Sequence, residues 1–477
     1  MMNHYKIPEE IMKIDNGCAK ELKIAYIGGG SRGWAWGLMS DLAMEESLSG
    51  KVHLYDIDQE AADRNEAIGN SLRGRGDVKG DWEYISSASR MEALKDADVV
   101  VISILPGTFD EMESDVHSPE QYGVYQPVGD TTGPGGLVRA LRTGPMFQVI
   151  AEDIRTYCPN AFVINYTNPM ALCIRVLYDT FPQIKAVGCC HEVFHTQSLL
   201  CKALAEFKGI ENVTRQQLHT TVQGVNHFTF ITQASYRDID LFPVYREFVE
   251  KYAQNGYTEG SDDNWMNRFF DSAQMVKMDL YLRTGQIAAA GDRHLAEFNP
   301  APRYLASPEK AHSYRFTLTP VSWRKQNQEM LMKKSARLFA GDEAFQLTPT
   351  GEEGVEMIKA FCGLRTLISN VNLPNKGQIP NLPLGTVVET NAVFSDHSVS
   401  PIHSGPMQGA AYALTLPAAL AQDDILCAVK SKDASAALRA FAGDPLMVGV
   451  TLHDAKLLYR KMLNNTKVYL PGWKLDI

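Results

Sequence analysis

Apolar residues in the first half of the chain come in short unbroken runs rather than in strict alternation with polar ones. Leu22–Gly28 (LKIAYIG), Val52–Tyr55 (VHLY), Asp98–Leu105 (DVVVISIL), Ala161–Tyr166 (AFVINY) and Ile184–Cys189 (IKAVGC) all have strand length. Runs of that kind suit strands covered on both faces, as in parallel sheets. Between the last two, Met170–Thr180 has helical spacing. Strands alternating with helices predict a doubly wound α/β sheet, whose ligands bind beyond the carboxyl ends of the strands. Past residue 200 the pattern weakens. Val222–Gln233 and Val387–Phe394 read as strands. Phe242–Ala253, stretches of Ser307–Phe339, Ala410–Ala421 and Ala434–Ala442 read as helices. This half is expected to be a mixed α/β substrate domain packed over the mouth of the first.

At 477 residues the chain exceeds the roughly 250–300 at which single cores stop growing. The expected division is an N-terminal extension over 1–21, a nucleotide-binding domain over 22–200, and a catalytic, substrate and oligomerisation domain over 201–477. The formal charge of −10 carries no long basic run, which argues against nucleic acid as partner and leaves room for a local pocket that takes a small anionic substrate. The N-terminal stretch is too charged for a secretory signal, and no apolar run approaches the roughly 18–20 residues of a membrane span. The eight cysteines show no CxxC pairs, so a cytoplasmic protein without disulfides is expected.

The first apolar run leads into Gly28-Gly29-Gly30-Ser31-Arg32-Gly33, a full G-x-G-x-x-G, followed by a helical WAWGLMSDLAM. In that motif the first glycine makes a tight turn, the second lets backbone approach a pyrophosphate, and the third allows close helix packing. Ser31 lies in the same turn. The next strand ends in Asp56, placed to accept hydrogen bonds from an adenosine ribose, which favours NAD over NADP. Asp58 is the fallback, and Arg64 lies too far on for a 2′-phosphate. Other strand ends bring Pro106-Gly107, Asn165–Pro169 and Cys189–Gln197 to the same edge.

Three segments could carry chemistry. Gln126–Gly136 (QPVGDTTGPGG) is too rich in Gly and Thr for an element interior and holds one acid, Asp130. Asn165–Pro169 (NYTNP) is either turn chemistry or a set of polar groups for a nicotinamide or a sugar hydroxyl. Cys189-Cys190-His191-Glu192 and the later Gly224-Val225-Asn226-His227 offer a thiolate and an imidazole. Brought together by the fold they could hold a divalent metal; a buried free cysteine is otherwise a packing residue.

In order along the chain, IGGGS, GDTTGPGG, NYTNPM, a Cys-His pair after the next strand, and GVNH resemble the family-four glycoside hydrolases, NAD-dependent glycosidases that depart from the two-carboxylate scheme. The series spans at least residues 22–230, and VETN around Asn391 is also family-like. The resemblance implies a Rossmann-like, lactate/malate dehydrogenase-like first domain and a homodimer or homotetramer. It implies a metal, usually Mn2+, bound by Cys190 and His227, with Asp130 and Asn168 in the substrate site. Around Cys-His-Glu-Val-Phe the sequence looks most like the members that act on α-galacturonides; α-glucuronides and neutral α-glycosides are the nearby alternatives.

The implied chemistry is NAD oxidation at C3, deprotonation at C2, elimination, water addition and re-reduction. The base for C2 is expected to be Asp292, in a loop after a Gly-Ala-rich turn, with Tyr281 second; His191 is a further catalytic candidate that could also pair with Glu192, line the sugar site or be structural. A galacturonate carboxylate calls for a cation, with Arg293 the first choice and Arg139, Arg142 and His195 its rivals. A lactate- or malate-type dehydrogenase would share the glycine motif without needing the metal pair or GDTTGPGG. A non-enzymatic NAD sensor would keep only Gly28–Gly33 and Asp56.

Overall fold

The computed structural model describes residues 13–15, 17–258 and 272–477. Residues 1–12 and 16 of the expected N-terminal extension lie outside the described residues. Seven strands precede residue 190: β1 (Lys13–Asp15), β2 (Cys18–Ile27), β3 (Leu48–Tyr55), β4 (Asp81–Ser86), β5 (Val99–Ile102), β6 (Phe162–Asn165) and β7 (Lys185–Gly188). Then come β8 (His219–Val225), β9 (Phe228–Tyr236), β10 (Ile239–Asp240) and β11 (Ile287–Ala288). The last three are β12 (Leu367–Pro374), β13 (Val387–Ser395) and β14 (Ser398–Pro401).

The main sheet runs β14-β13-β12-β7-β6-β5-β2-β3-β4, with β1 folded back on β2. Strands β2 to β7 within it are parallel, as the continuous apolar runs predicted. Their side chains divide with period two. Ile24, Val99, Val101, Phe162 and Val187 join a core on one face, and Ala25, Val100, Ile102, Val163 and Ala186 a core on the other. Burying one such side chain stabilises the sheet by about 1.5–3 kcal/mol, which is why both faces must be covered by helices.

The sheet draws strands from both sides of residue 200: β12 joins β7 antiparallel through Asn372 and Gly188, and β13 and β14 follow. A smaller antiparallel sheet holds β8 to β11, with β9 at its centre. The single strand expected over Val222–Gln233 is two, folded at Asn226-His227 between β8 and β9. The glycine-rich stretch around Asp130 also differs from a plain loop, because the helix Gly133–Tyr157 starts inside it with Pro134 in its first turn. Among the described residues no helix is long and apolar enough to cross a membrane.

Candidate active site

The glycine turn after β2 has a physical need for its glycines. Gly28 has φ +96°, and a Cβ there would lie 2.0 Å from the Ser103 carbonyl oxygen. A Cβ on Gly30 would lie 2.7 Å from Ala61 Cβ and 3.0 Å from the Asp56 carboxyl. Asp56 Oδ2 accepts a hydrogen bond from Gly30 N (2.9 Å) and its Oδ1 one from Asp58 N (3.0 Å). A carboxylate has about four acceptor sites, so capacity remains for ribose hydroxyls. Ser31 Oγ accepts from Trp34 N (3.2 Å) where the helix Trp34–Met44 begins. Asp58 caps the helix Gln59–Asn70 through Ala61 N, and Arg64 pairs with Glu60, so neither is free for a nucleotide. The Pro106 carbonyl accepts from Arg142 Nε (2.8 Å). A turn whose backbone can be approached closely, beside a helix N-terminus, fits a dinucleotide.

The chemistry-bearing side chains gather beyond the carboxyl ends of the strands. Ligand atoms of Asp130, His227 and His294 lie within 4.8 Å of one another. The two imidazoles stack with centroids 4.0 Å apart. Thr131 Oγ1 donates to Asp130 Oδ1 (2.8 Å) and lies 2.9 Å from His227 Nδ1, which fixes both groups. Asn168 Nδ2 donates to Asp130 Oδ2 (3.2 Å), and Arg139 Nε donates to the Asn168 carbonyl (3.1 Å). Burial alone would raise the Asp130 carboxyl. The imidazoles of His294 and His227 and the Arg139 guanidinium outweigh it and hold the acid below its usual range. Burial pushes His227 down to about 3, with His294 beside it adding to the shift, so the ring is uncharged at neutral pH and has a lone pair for a metal.

Cys190 follows β7 and is buried. It stands outside the trio of closest donors, and burial raises its thiol well above the ordinary value. The trio itself, two imidazoles and a carboxylate, is a donor set suited to a divalent transition metal. A second group unites His191, Glu192 and His195 at the start of the helix Glu192–Lys208. His191 Nδ1 lies 2.7 Å from Glu352 Oε1, and its ring is 6.1 Å from that of Trp34. Burial lowers the His191 imidazole, but the Glu352 hydrogen bond prevails and raises it. Glu192 Oε2 accepts from Gly291 N (2.5 Å) and its Oε1 lies 3.8 Å from His294 Nε2, linking the two groups.

The other sequence candidates are placed differently. Asp292 is not in a loop: it begins the helix Asp292–Glu297, is fully buried, and accepts from Lys277 N (3.0 Å). It thereby satisfies one of the orphan N–H groups at the start of the helix Met275–Thr284. Burial lifts its carboxyl to about 6. Tyr281, on that second helix, packs edge-on against Tyr245 (5.0 Å) inside an apolar cluster with Leu200 and Ile287. Neither belongs to the Asp130 trio. Arg142 is committed to both oxygens of buried Asp115. Arg293 Nη2 donates to the Pro127 carbonyl (2.7 Å), whereas buried Arg139 keeps Nη1 without a partner.

Three residues were missing from the sequence-based site: His294, Glu297 and Arg324. His294 and Glu297 are three apart on one short helix and share a face, a spacing that a helical reading of DRHLAEF would have exposed. Arg324, on the helix Val321–Ala340, acts on Asp130 and Glu297 and has no local sequence signal. Glu297 Oε1 accepts from Val128 N (2.7 Å) and Gly129 N (2.9 Å), pinning the loop that carries Asp130. Burial raises its carboxyl from 4.5 to about 8. Between those values the unfolded chain gives up a proton that the folded chain keeps, so this group costs stability as pH rises. Glu297→Gln should match the parent Tm near pH 4 and gain on it progressively up to about pH 8. A Tm difference constant across that range would contradict this assignment.

Residues 23–206 match the Family 4 glycosyl hydrolase signature, and residues 222–447 match the family's C-terminal domain. The chain therefore belongs to the family 4 glycosyl hydrolases. Over 464 residues it is 56% identical to an α-galacturonidase of Thermoanaerobacterium saccharolyticum, covering 97% of this chain and 100% of the relative. A Bacillus subtilis structure described as a glucosidase superposes with TM-score 0.87 at 48% identity, over 93% of this chain and 100% of that one. A 6-phospho-α-glucosidase from gut microorganisms, solved with NAD and Mn2+, shares the fold at TM-score 0.78 and 20% identity, over 95% and 100% of the two chains.

Proposed function

We propose that the protein hydrolyses α-galacturonides, releasing galacturonate from short oligogalacturonides with NAD and a divalent metal such as Mn2+ as cofactors. The observation that carries the substrate class is the charge around Asp130. Arg139, Arg293 and Arg324 all act on that one carboxylate. Of the other acids around these groups, Glu192 acts on Arg293 and Asp115 on Arg139, while Glu297 is pushed by burial to about 8 and so is largely uncharged at neutral pH. Arg139 keeps a buried Nη1 without a hydrogen-bond partner, and a neutral sugar would leave it so. A uronate carboxylate supplies the partner, and a bidentate contact suits guanidinium geometry. The identity to the Thermoanaerobacterium saccharolyticum enzyme supports the same sugar. Family membership places the chain among hydrolases rather than with the dehydrogenases or NAD sensors that share its glycine turn.

In this proposal the turn Gly28–Gly33 and Asp56 hold NAD, and Pro106 borders it. Cys190 and His227 hold the metal, while Asp130 and Asn168 face the sugar hydroxyls. When bound, NAD supplies reversible hydride transfer at a sugar carbon and the metal supplies Lewis acidity beside it. Arg139 holds the backbone of Asn168, and Thr131 orients Asp130 against His227. Of the three catalytic candidates, His191 is the half-buried one, whereas Asp292 and Tyr281 are held by packing. Asp292 is then a positioning residue that braces the helix carrying Arg293, His294 and Glu297. We also propose a cytoplasmic homodimer or homotetramer: the eight free cysteines suit a reducing compartment, and the assembly rests on family resemblance alone.

The test compares digalacturonate, its methyl ester, diglucuronate and a neutral α-digalactoside under NAD and Mn2+. Digalacturonate should give a kcat/KM at least about 10²-fold above the ester and the neutral sugar, the scale expected when a site built for a charged group is left unpaired. Preference for the glucuronide would move the assignment to an α-glucuronidase, and equal rates on the neutral sugar would remove the uronate reading.

A further inference from the structure

Arg142 and Asp115 form a buried ion pair that the chemistry above does not use. Arg142, on the helix Gly133–Tyr157, is wholly buried, and Asp115, on the helix Phe109–His117, is 1% exposed. Arg142 Nη1 donates to Asp115 Oδ1 (3.2 Å) and Nη2 to Oδ2 (2.5 Å). Burial raises the Asp115 carboxyl, and the Arg142 guanidinium opposes that rise. Such a pair gives little net stability over apolar side chains packed in its place, because both charges leave water. Stability alone does not account for it.

The third nitrogen of the guanidinium does. Arg142 Nε donates to the Pro106 carbonyl (2.8 Å), in the turn that follows β5. With both terminal nitrogens held by one carboxyl, the planar fork has a single orientation, and Nε is aimed by it. Gly107, the next residue, has φ +87°, and a Cβ there would lie 3.0 Å from Arg142 Nε. The same turn lies against the glycine turn after β2. The Ser103 carbonyl oxygen and Ile104 Cγ2 would be 2.0 and 3.3 Å from a Cβ on Gly28. Ile104 N also donates to Thr167 Oγ1 (2.9 Å). Three residues earlier on the helix of Arg142, Arg139 Nε holds the Asn168 carbonyl. Arginines on one helix face thus brace the turns after two neighbouring strands, β5 and β6.

Resting on the proposed NAD site at Gly28–Gly33, we infer that Arg142 and Asp115 are positioning residues for the dinucleotide: Asp115 orients the guanidinium, and Arg142 Nε fixes the Pro106 carbonyl and with it the turn 103–107. That turn serves the nicotinamide half. β5 flanks β2 on the side opposite β3, and the end of β3 carries Asp56, assigned to the adenosine ribose.

The experiment measures the dissociation constants of NAD and ADP-ribose for the purified full chain, with Tm recorded for each variant. The joint variant Arg142→Met with Asp115→Leu removes both charges, so neither is left buried alone, while the Pro106 carbonyl loses its donor. Its Tm is expected at or above that of the parent. NAD should weaken about tenfold, the scale of one buried acceptor left without a donor, and ADP-ribose at most about threefold. Arg142→Lys keeps a charge opposite Asp115 but has no Nε–H. It should show the same split, and it serves where the joint variant does not fold. Parent-like NAD affinity in a folded variant, or equal weakening of NAD and ADP-ribose, would overturn the inference. Asp56→Ala tests the level beneath. It should weaken both ligands alike, and unchanged affinity for both would overturn the nucleotide-site assignment itself.

Discussion

Cys190→Ser is expected to lower hydrolysis by at least about 10³-fold while NAD binds as in the parent, because in the proposed assignment the change removes a metal ligand and leaves the glycine turn untouched. Two features of the structure separate these outcomes. The proposed NAD determinants, Gly28–Gly33 and Asp56, belong to the turn after β2 and the end of β3. Cys190 follows β7, on a different strand end. Burial holds the Cys190 thiol well above its ordinary value, so a thiolate there needs the compensation that a divalent cation gives. A serine hydroxyl is a far weaker ligand and is not deprotonated at neutral pH. Steady-state hydrolysis together with equilibrium NAD binding checks the prediction. Full activity in the variant would remove Cys190 from the metal centre, and loss of both properties would assign it to packing.

The second large effect is expected at Arg139. Arg139→Lys keeps the charge but loses the planar fork, and should cut kcat/KM on oligogalacturonides about 10²-fold while leaving the weak activity on a neutral analogue nearly unchanged. The reason is geometric: Nε already serves the Asn168 carbonyl, and the buried Nη1 is the donor left for a ligand. Arg324→Gln, outside the hydrogen-bonded frame of Asn168, should shift the same ratio in the same direction. An equal loss on acidic and neutral sugars for Arg139→Lys would instead make it a support for Asn168.

The parallel core was legible because strands buried on both faces announce themselves as unbroken apolar runs, and β2, β3, β5, β6 and β7 lie where those runs fall. β4 (DWEYIS) was missed because its apolar residues alternate with polar ones over only six positions. The joining of β12 to β7 could not be read, since pairing partners far apart in sequence leave no local trace. The fold between β8 and β9 hid inside one apolar stretch, and with it the turn that presents His227.

In the site, the motifs GDTTGPGG, NYTNPM and GVNH delivered Asp130, Asn168 and His227 by resemblance, and the structure brings these three together. Asp292 was misplaced for a physical reason. AAAGD looks like a turn, but Gly291 is the N-cap of a short helix, and one oxygen of the acid accepts from Lys277 N on the preceding helix. Arg142 and Arg139 looked alike as neighbours on one helix. Only the buried Asp115 beneath Arg142 tells them apart.

The most direct test of the oxidation–elimination account is NMR of digalacturonate hydrolysis in D2O with NAD and Mn2+, recorded alongside the NADH absorbance. The account predicts released galacturonate carrying deuterium at C2, with no steady accumulation of NADH. Hydrolysis that leaves C2 fully protonated would contradict it.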